Sequence, residues 1–95
     1  MELKDRFEKY MDEDLKFEDC TRKYVQRADL NAMLILNSVE IPRNRNYILS
    51  AAEHDVVYFS FDPSCLDNVE DDVILDLMRC GIYYDDDREC LYMFV

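Results

Sequence analysis

Glycine and proline are nearly missing from this chain: one Gly and two Pro stand among 95 residues. That is too few for a flexible linker, a collagen-like repeat or a low-complexity tract. With Gly81 as its only glycine, the chain cannot build the glycine-rich loop that lets backbone approach a phosphate. There is no Gly-x-Ser-x-Gly turn to present a nucleophilic serine, and the single histidine, His54 between Glu53 and Asp55, reads as a helix-end residue in a polar network. Catalysis is therefore not expected. Apolar runs are also short, and none nears the roughly 20 residues that span a bilayer. The start Met1-Glu2-Leu3-Lys4-Asp5 has neither the basic flank nor the apolar stretch of a signal peptide, so a cytoplasmic protein without a membrane partner is expected. Cys20, Cys65, Cys80 and Cys90 contain no Cys-x-x-Cys pair, and free thiols without a metal or other cofactor are the expectation.

What is present is apolar and acidic. Hydrophobic residues make up 49% of the chain and aromatic residues 13%, enough for one folded domain over residues 1–95 with one core. A domain this small buries a modest share of its surface, and pairing as a homodimer would relieve that shortage. The formal net charge is −11, unevenly spread: residues 1–47 hold ten acids against nine bases, residues 48–95 twelve acids against only Arg79 and Arg88. Such a field opposes direct contact with nucleic acid or anionic lipid and speeds encounter with a basic surface.

Hydrophobic spacing divides the chain into a helical part (1–41), a basic loop (42–46) and a βαββ part (47–95). Leu3, Phe7, Tyr10 and Met11 recur at helical intervals, which predicts a helix over about residues 2–14. Phe17, Cys20, Tyr24, Val25 and Ala28 predict a second helix, with Arg22, Lys23 and Arg27 on its polar face. Asp29 is placed to cap a third through Leu30, Ala32, Met33, Leu34, Ile35 and Leu36, apolar nearly all round and hence expected to be buried. Pro42-Arg43-Asn44-Arg45-Asn46 reads as a loop. Residues 47–53 are compatible with a short helix, whereas Val56-Val57-Tyr58-Phe59-Ser60-Phe61 is β-branched and aromatic and predicts a strand ending at Asp62-Pro63. Asn68 is placed to cap a helix over residues 69–80, with Glu70, Asp71 and Asp72 at its positive end and Gly81 just beyond its last turn. Ile82-Tyr83-Tyr84 and residues 90–95 predict a hairpin around an acidic turn. The expected class is α+β: N-terminal helices packed on a mainly antiparallel three-stranded sheet with one further helix, in the order ααα-βαββ.

Two groups stand out as candidate contact surfaces. The first is acidic: Asp62, Asp67, Glu70, Asp71 and Asp72 before and at the helix start, and Asp85, Asp86, Asp87 and Glu89 in the hairpin. Any one of them is explained by solvation or by the helix dipole, but rows of carboxylates two residues apart on a strand repeat at about 6.6 Å, a spacing of the order of backbone phosphates. Asp85, Asp87 and Glu89 alternate like the opening of a calcium loop without its glycine or its twelfth-position glutamate. The second group is aromatic: Tyr58, Tyr83 or Tyr84, and Tyr92 are expected on the sheet face that few helices can cover.

Ala51-Ala52-Glu53-His54-Asp55, Arg79-Cys80-Gly81-Ile82 and the ending Cys90-Leu91-Tyr92-Met93-Phe94-Val95 resemble short, acidic phage-encoded proteins over the last half of the chain. The resemblance carries no assigned site residue. Together with the charge it implies a phage or mobile-element protein, working in the host cytoplasm, that binds a basic surface of a host protein and blocks nucleic acid from it, as a DNA mimic or an anti-CRISPR-like inhibitor does. The alternatives are a self-associating assembly module and a small nucleotide-binding sponge using Arg43 and Arg45.

Overall fold

The structure, a computed structural model, describes residues 2–39, 47–60 and 66–94. Among the described residues three helices, α1 (Leu3–Glu8), α2 (Ala28–Val39) and α3 (Asp71–Arg79), lie on one side of four strands, β1 (Leu49–Glu53), β2 (Val56–Phe59), β3 (Ile82–Asp85) and β4 (Cys90–Phe94). Every neighbouring pair of strands is antiparallel, in the order β1-β2-β4-β3. The α+β class stands, with four strands in place of three.

The extra strand corrects the expected helix at residues 47–53. Leu49-Ser50-Ala51-Ala52-Glu53 carries no β-branched residue, so local propensity favours helix, yet it pairs with β2 across the two-residue turn His54-Asp55. His54 adopts φ +52°, the positive region that tight hairpin turns demand. It is an exposed turn residue, not the helix-end histidine expected. A bulge lies between Leu49 and Ala51.

The predicted second helix is replaced by a 3₁₀ turn, Phe17–Asp19, followed by irregular chain to α2. Two buried side chains on other elements take over the backbone donors that a helix would have used. The Asp76 carboxylate accepts the N–H groups of Thr21 (3.0 Å) and Arg22 (3.2 Å), and Asn31 Oδ1 accepts those of Tyr24 (2.7 Å) and Val25 (3.2 Å). Helix α1 is also shorter than expected: beyond Glu8 the chain tightens into i→i+3 turns, and the Tyr10 hydroxyl donates to Asp71 at 2.6 Å. Asp29 falls inside the first turn of α2, where its carboxylate accepts the Leu30 N–H. Helix α3 begins at Asp71 with Glu70 at its cap position and no side-chain cap bond, so Asn68 is not the cap.

Other expectations hold. Val73, Ile74, Leu77 and Met78 form the buried face of α3, and Gly81 follows its last turn at φ +98°, its N–H donating to the Met78 carbonyl. The terminal hairpin joins β3 and β4 in the register Ile82–Met93, Tyr83–Tyr92, Tyr84–Leu91 and Asp85–Cys90. Period-two alternation turns Val57, Phe59, Ile82, Tyr84, Leu91 and Met93 toward the helices, where they join Leu3, Phe7, Ala32, Ile35, Leu36, Leu66 and the α3 face in one core. The opposite face carries Val56, Tyr58, Tyr83, Cys90, Tyr92 and Phe94. Among the described residues no helix is long and apolar enough to cross a membrane.

A candidate acidic cleft

The acids divide into those the fold consumes and those it leaves outward. Asp76 is fully buried and was not singled out by its place in the sequence. It accepts five hydrogen bonds, from both donors of Thr21, from the N–H and Nη1 of Arg22, and from Nη1 of Arg79. Burial alone would raise its pKa, but these donors outweigh burial and hold it at about 2. Asp71 is likewise engaged: the Tyr10 hydroxyl first, then the Arg6 guanidinium and Lys9, hold it at about 2. Arg6 also donates to the Leu66 and Val69 carbonyls, both at 2.6 Å, which straps α1 to the chain that leads into α3. Asp72 meets Arg22 at 3.4 Å.

The hairpin turn is divided in the same way. Asp85 Oδ1 accepts the N–H groups of Asp87 (3.0 Å) and Arg88 (3.2 Å), so this acid shapes the turn that presents its neighbours. Asp86, Asp87 and Glu89 are exposed. Asp86 and Glu89 line a groove of about 320 Å³ with Glu2, Leu3, Lys4, Asp67 and Tyr84. Four carboxylates from three distant stretches therefore line this groove with one lysine, which meets Asp86 at 3.6 Å. The Tyr84 hydroxyl reports the field: burial first, then Glu89, Asp86 and Glu2, push its pKa upward. Among the described residues no three His, Cys, Asp or Glu side chains converge closely enough to hold a metal ion.

The structure thus brings together Asp67, Asp86 and Glu89 of the residues expected from sequence, leaves Glu70 and Asp87 exposed elsewhere, and commits Asp71, Asp72 and Asp85 to internal contacts. Asp62 lies outside the described residues, as do the 42–46 loop with Arg43 and Arg45, and Cys65. Glu2, Lys4 and Tyr84 were missed as cleft residues, because nothing in local spacing signals that the chain start meets the hairpin.

The aromatic expectation is corrected in one respect: Tyr84 faces inward and packs on Phe7, with ring centroids 6.3 Å apart. Tyr83, Tyr92 and Tyr58 form one cross-strand row on the outer face, with centroids 5.8 and 6.2 Å apart, and Phe94 packs edge-on against Tyr92. Arg88 lies 4.3 Å over the Tyr58 ring and pairs with Glu53 at 3.2 Å. Of the thiols, Cys20 and Cys80 are buried and free with their sulfurs 3.9 Å apart, and burial pushes Cys20 up to about 12. A thiol so firmly protonated is a poor nucleophile. No protein-family model, characterised protein or solved structure matches this chain.

Proposed function

We propose that this protein acts by binding and not by catalysis: the acidic cleft and the turn beside it engage a basic, nucleic-acid-binding surface of a partner protein and exclude nucleic acid from it. One observation carries this reading. Lys4, Arg6, Lys9, Lys16, Arg22, Arg79 and Arg88 each meet a carboxylate of the same chain, so the outward field is set by the acids in excess. The cleft is lined by four carboxylates and a single lysine, and only Asp86 of the four pairs with that lysine. The resemblance to acidic phage-encoded proteins agrees with a host partner in the cytoplasm. Presenting the turn costs little ordering entropy, because Asp85 and two paired strands already hold it.

The test is competition. A host nucleic-acid-binding protein held by this chain should be released by added duplex DNA and by salt, and Asp67→Asn with Asp86→Asn and Glu89→Gln should slow its association and flatten the salt dependence. Binding indifferent to DNA, to salt and to those three changes overturns the proposal.

A further inference from the structure

Strand β3 is an edge of the sheet, and helix α1 packs along it through Phe7 and Tyr84. Consecutive strand residues point to opposite faces, yet Tyr83 and Tyr84 line one cavity, because at an edge both rings reach the gap beside the helix. Phe7 and Tyr92 complete its aromatic wall, with ring centroids 6.3 Å from Tyr84 and 5.8 Å from Tyr83 respectively. The solvent side carries two exposed carboxylates, Glu8 and Asp86, together with Lys4. The cavity measures about 140 Å³ and shares Lys4, Tyr84 and Asp86 with the acidic groove, so the two are continuous. That volume is several times the roughly 30 Å³ of a water and well below the roughly 300–1,000 Å³ of a small-molecule site. It suits a single side chain.

Resting on the cleft reading above, we infer that this cavity receives an arginine side chain of the basic partner, its guanidinium stacked on the tyrosine rings and donating to Asp86 and Glu8. The mixed lining selects the guest. An apolar side chain would satisfy the rings and leave the carboxylates without a donor. A quaternary ammonium suits aromatic faces but likewise brings no N–H. A lysine ammonium donates, yet it is a compact, strongly hydrated charge that gains less from a ring face. A guanidinium is planar enough to stack and carries a fork of donors along its edge for a carboxylate, while its methylene stem can lie on Phe7 and Met11. The chain already keeps a cation at this place: Lys4 meets Asp86 at 3.6 Å, and Asp86 first, then Glu8, raise the Lys4 pKa. The two side chains are 44% and 59% exposed, so their pair is weak and yields to a better-fitting cation. Arginine is a principal phosphate contact of nucleic-acid-binding surfaces, and its capture here takes from nucleic acid a group it would use.

Hexa-arginine and hexalysine carry equal charge and so separate the cavity from the acidic field. Titrated into the whole chain, hexa-arginine should bind about fivefold more tightly than hexalysine. It should shift the ring resonances of Tyr83, Tyr84 and Tyr92, and its own Cδ protons should move upfield under those rings. Tyr83→Leu should bring the ratio of the two affinities toward one while leaving hexalysine binding and the circular dichroism spectrum unchanged. Tyr83→Phe, which keeps the ring, should retain the preference. Equal affinity of the unmodified protein for the two peptides, or shifts confined to Asp67, Asp86 and Glu89, overturns the inference and leaves the cleft reading standing. A preference for hexa-arginine that depends on Tyr83, beside a host protein that DNA does not release, overturns the cleft reading and leaves the arginine site.

Discussion

At the scale of single residues, Asp76 holds more of this structure than any exposed acid. Its carboxylate replaces helix hydrogen bonds for residues 21–22 and pairs with Arg22 and Arg79, so Asp76→Ala takes the carboxylate from Arg79, leaves Arg22 only Asp72, and leaves two backbone donors without their acceptor. The expected loss is about 3–5 kcal/mol, read from urea unfolding. Its titration gives a second expectation. The pKa of Asp76 is depressed in the folded state, from 3.8 to about 2, and that of Asp71 likewise. Groups depressed on folding stabilise the native state above their unfolded pKa, and that stability drains as pH falls from about 4 toward 2. Thermal melts should therefore drop steeply across that window, and the drop should be shallower in Asp71→Asn.

Individual elements show where local preference yields and where it does not. Gly81 keeps its sequence-level meaning, since φ +98° strains any side-chain-bearing residue even though a Cβ there would approach Met93 no closer than 3.8 Å. Gly81→Ala should thus cost about 1–2 kcal/mol through backbone conformation and not through packing. In the β3–β4 turn, Asp85→Ala and Asp86→Ala should differ. Asp85 carries the bonds that shape the turn, whereas Asp86 meets only the half-exposed Lys4 in an ion pair of small worth. Loss of stability should follow the change at Asp85 and loss of partner association the change at Asp86, separable by a melt beside a binding rate. The hairpin and α3 were legible because their residues satisfy propensity, amphipathic spacing and end chemistry at once. Residues 17–27 were not, because Asp76 and Asn31, distant in sequence, decide their hydrogen bonds.

For the molecule as a whole, charge and fold act together. Internal pairing of most described bases leaves an acidic exterior, so the protein should pass through a DNA column at physiological salt while a basic protein retains it. Retention on DNA in a salt-sensitive manner would contradict the assignment of the field.

Composition and spacing alone determined the α+β class, the acidic bias of residues 48–95, the α3–Gly81 junction and the terminal hairpin, because each rests on composition or on interactions a few residues apart. Tertiary structure decided the rest. It made β1 a strand by pairing it with β2, separated Tyr84 from the outer tyrosine row by the pleat, and sorted the acids into those that bind Arg6, Arg22 and Arg79 and those that face outward. It also brought Glu2 and Asp67 to the hairpin turn, which no periodicity encodes, since that meeting depends on how α1 and the approach to α3 pack against the sheet.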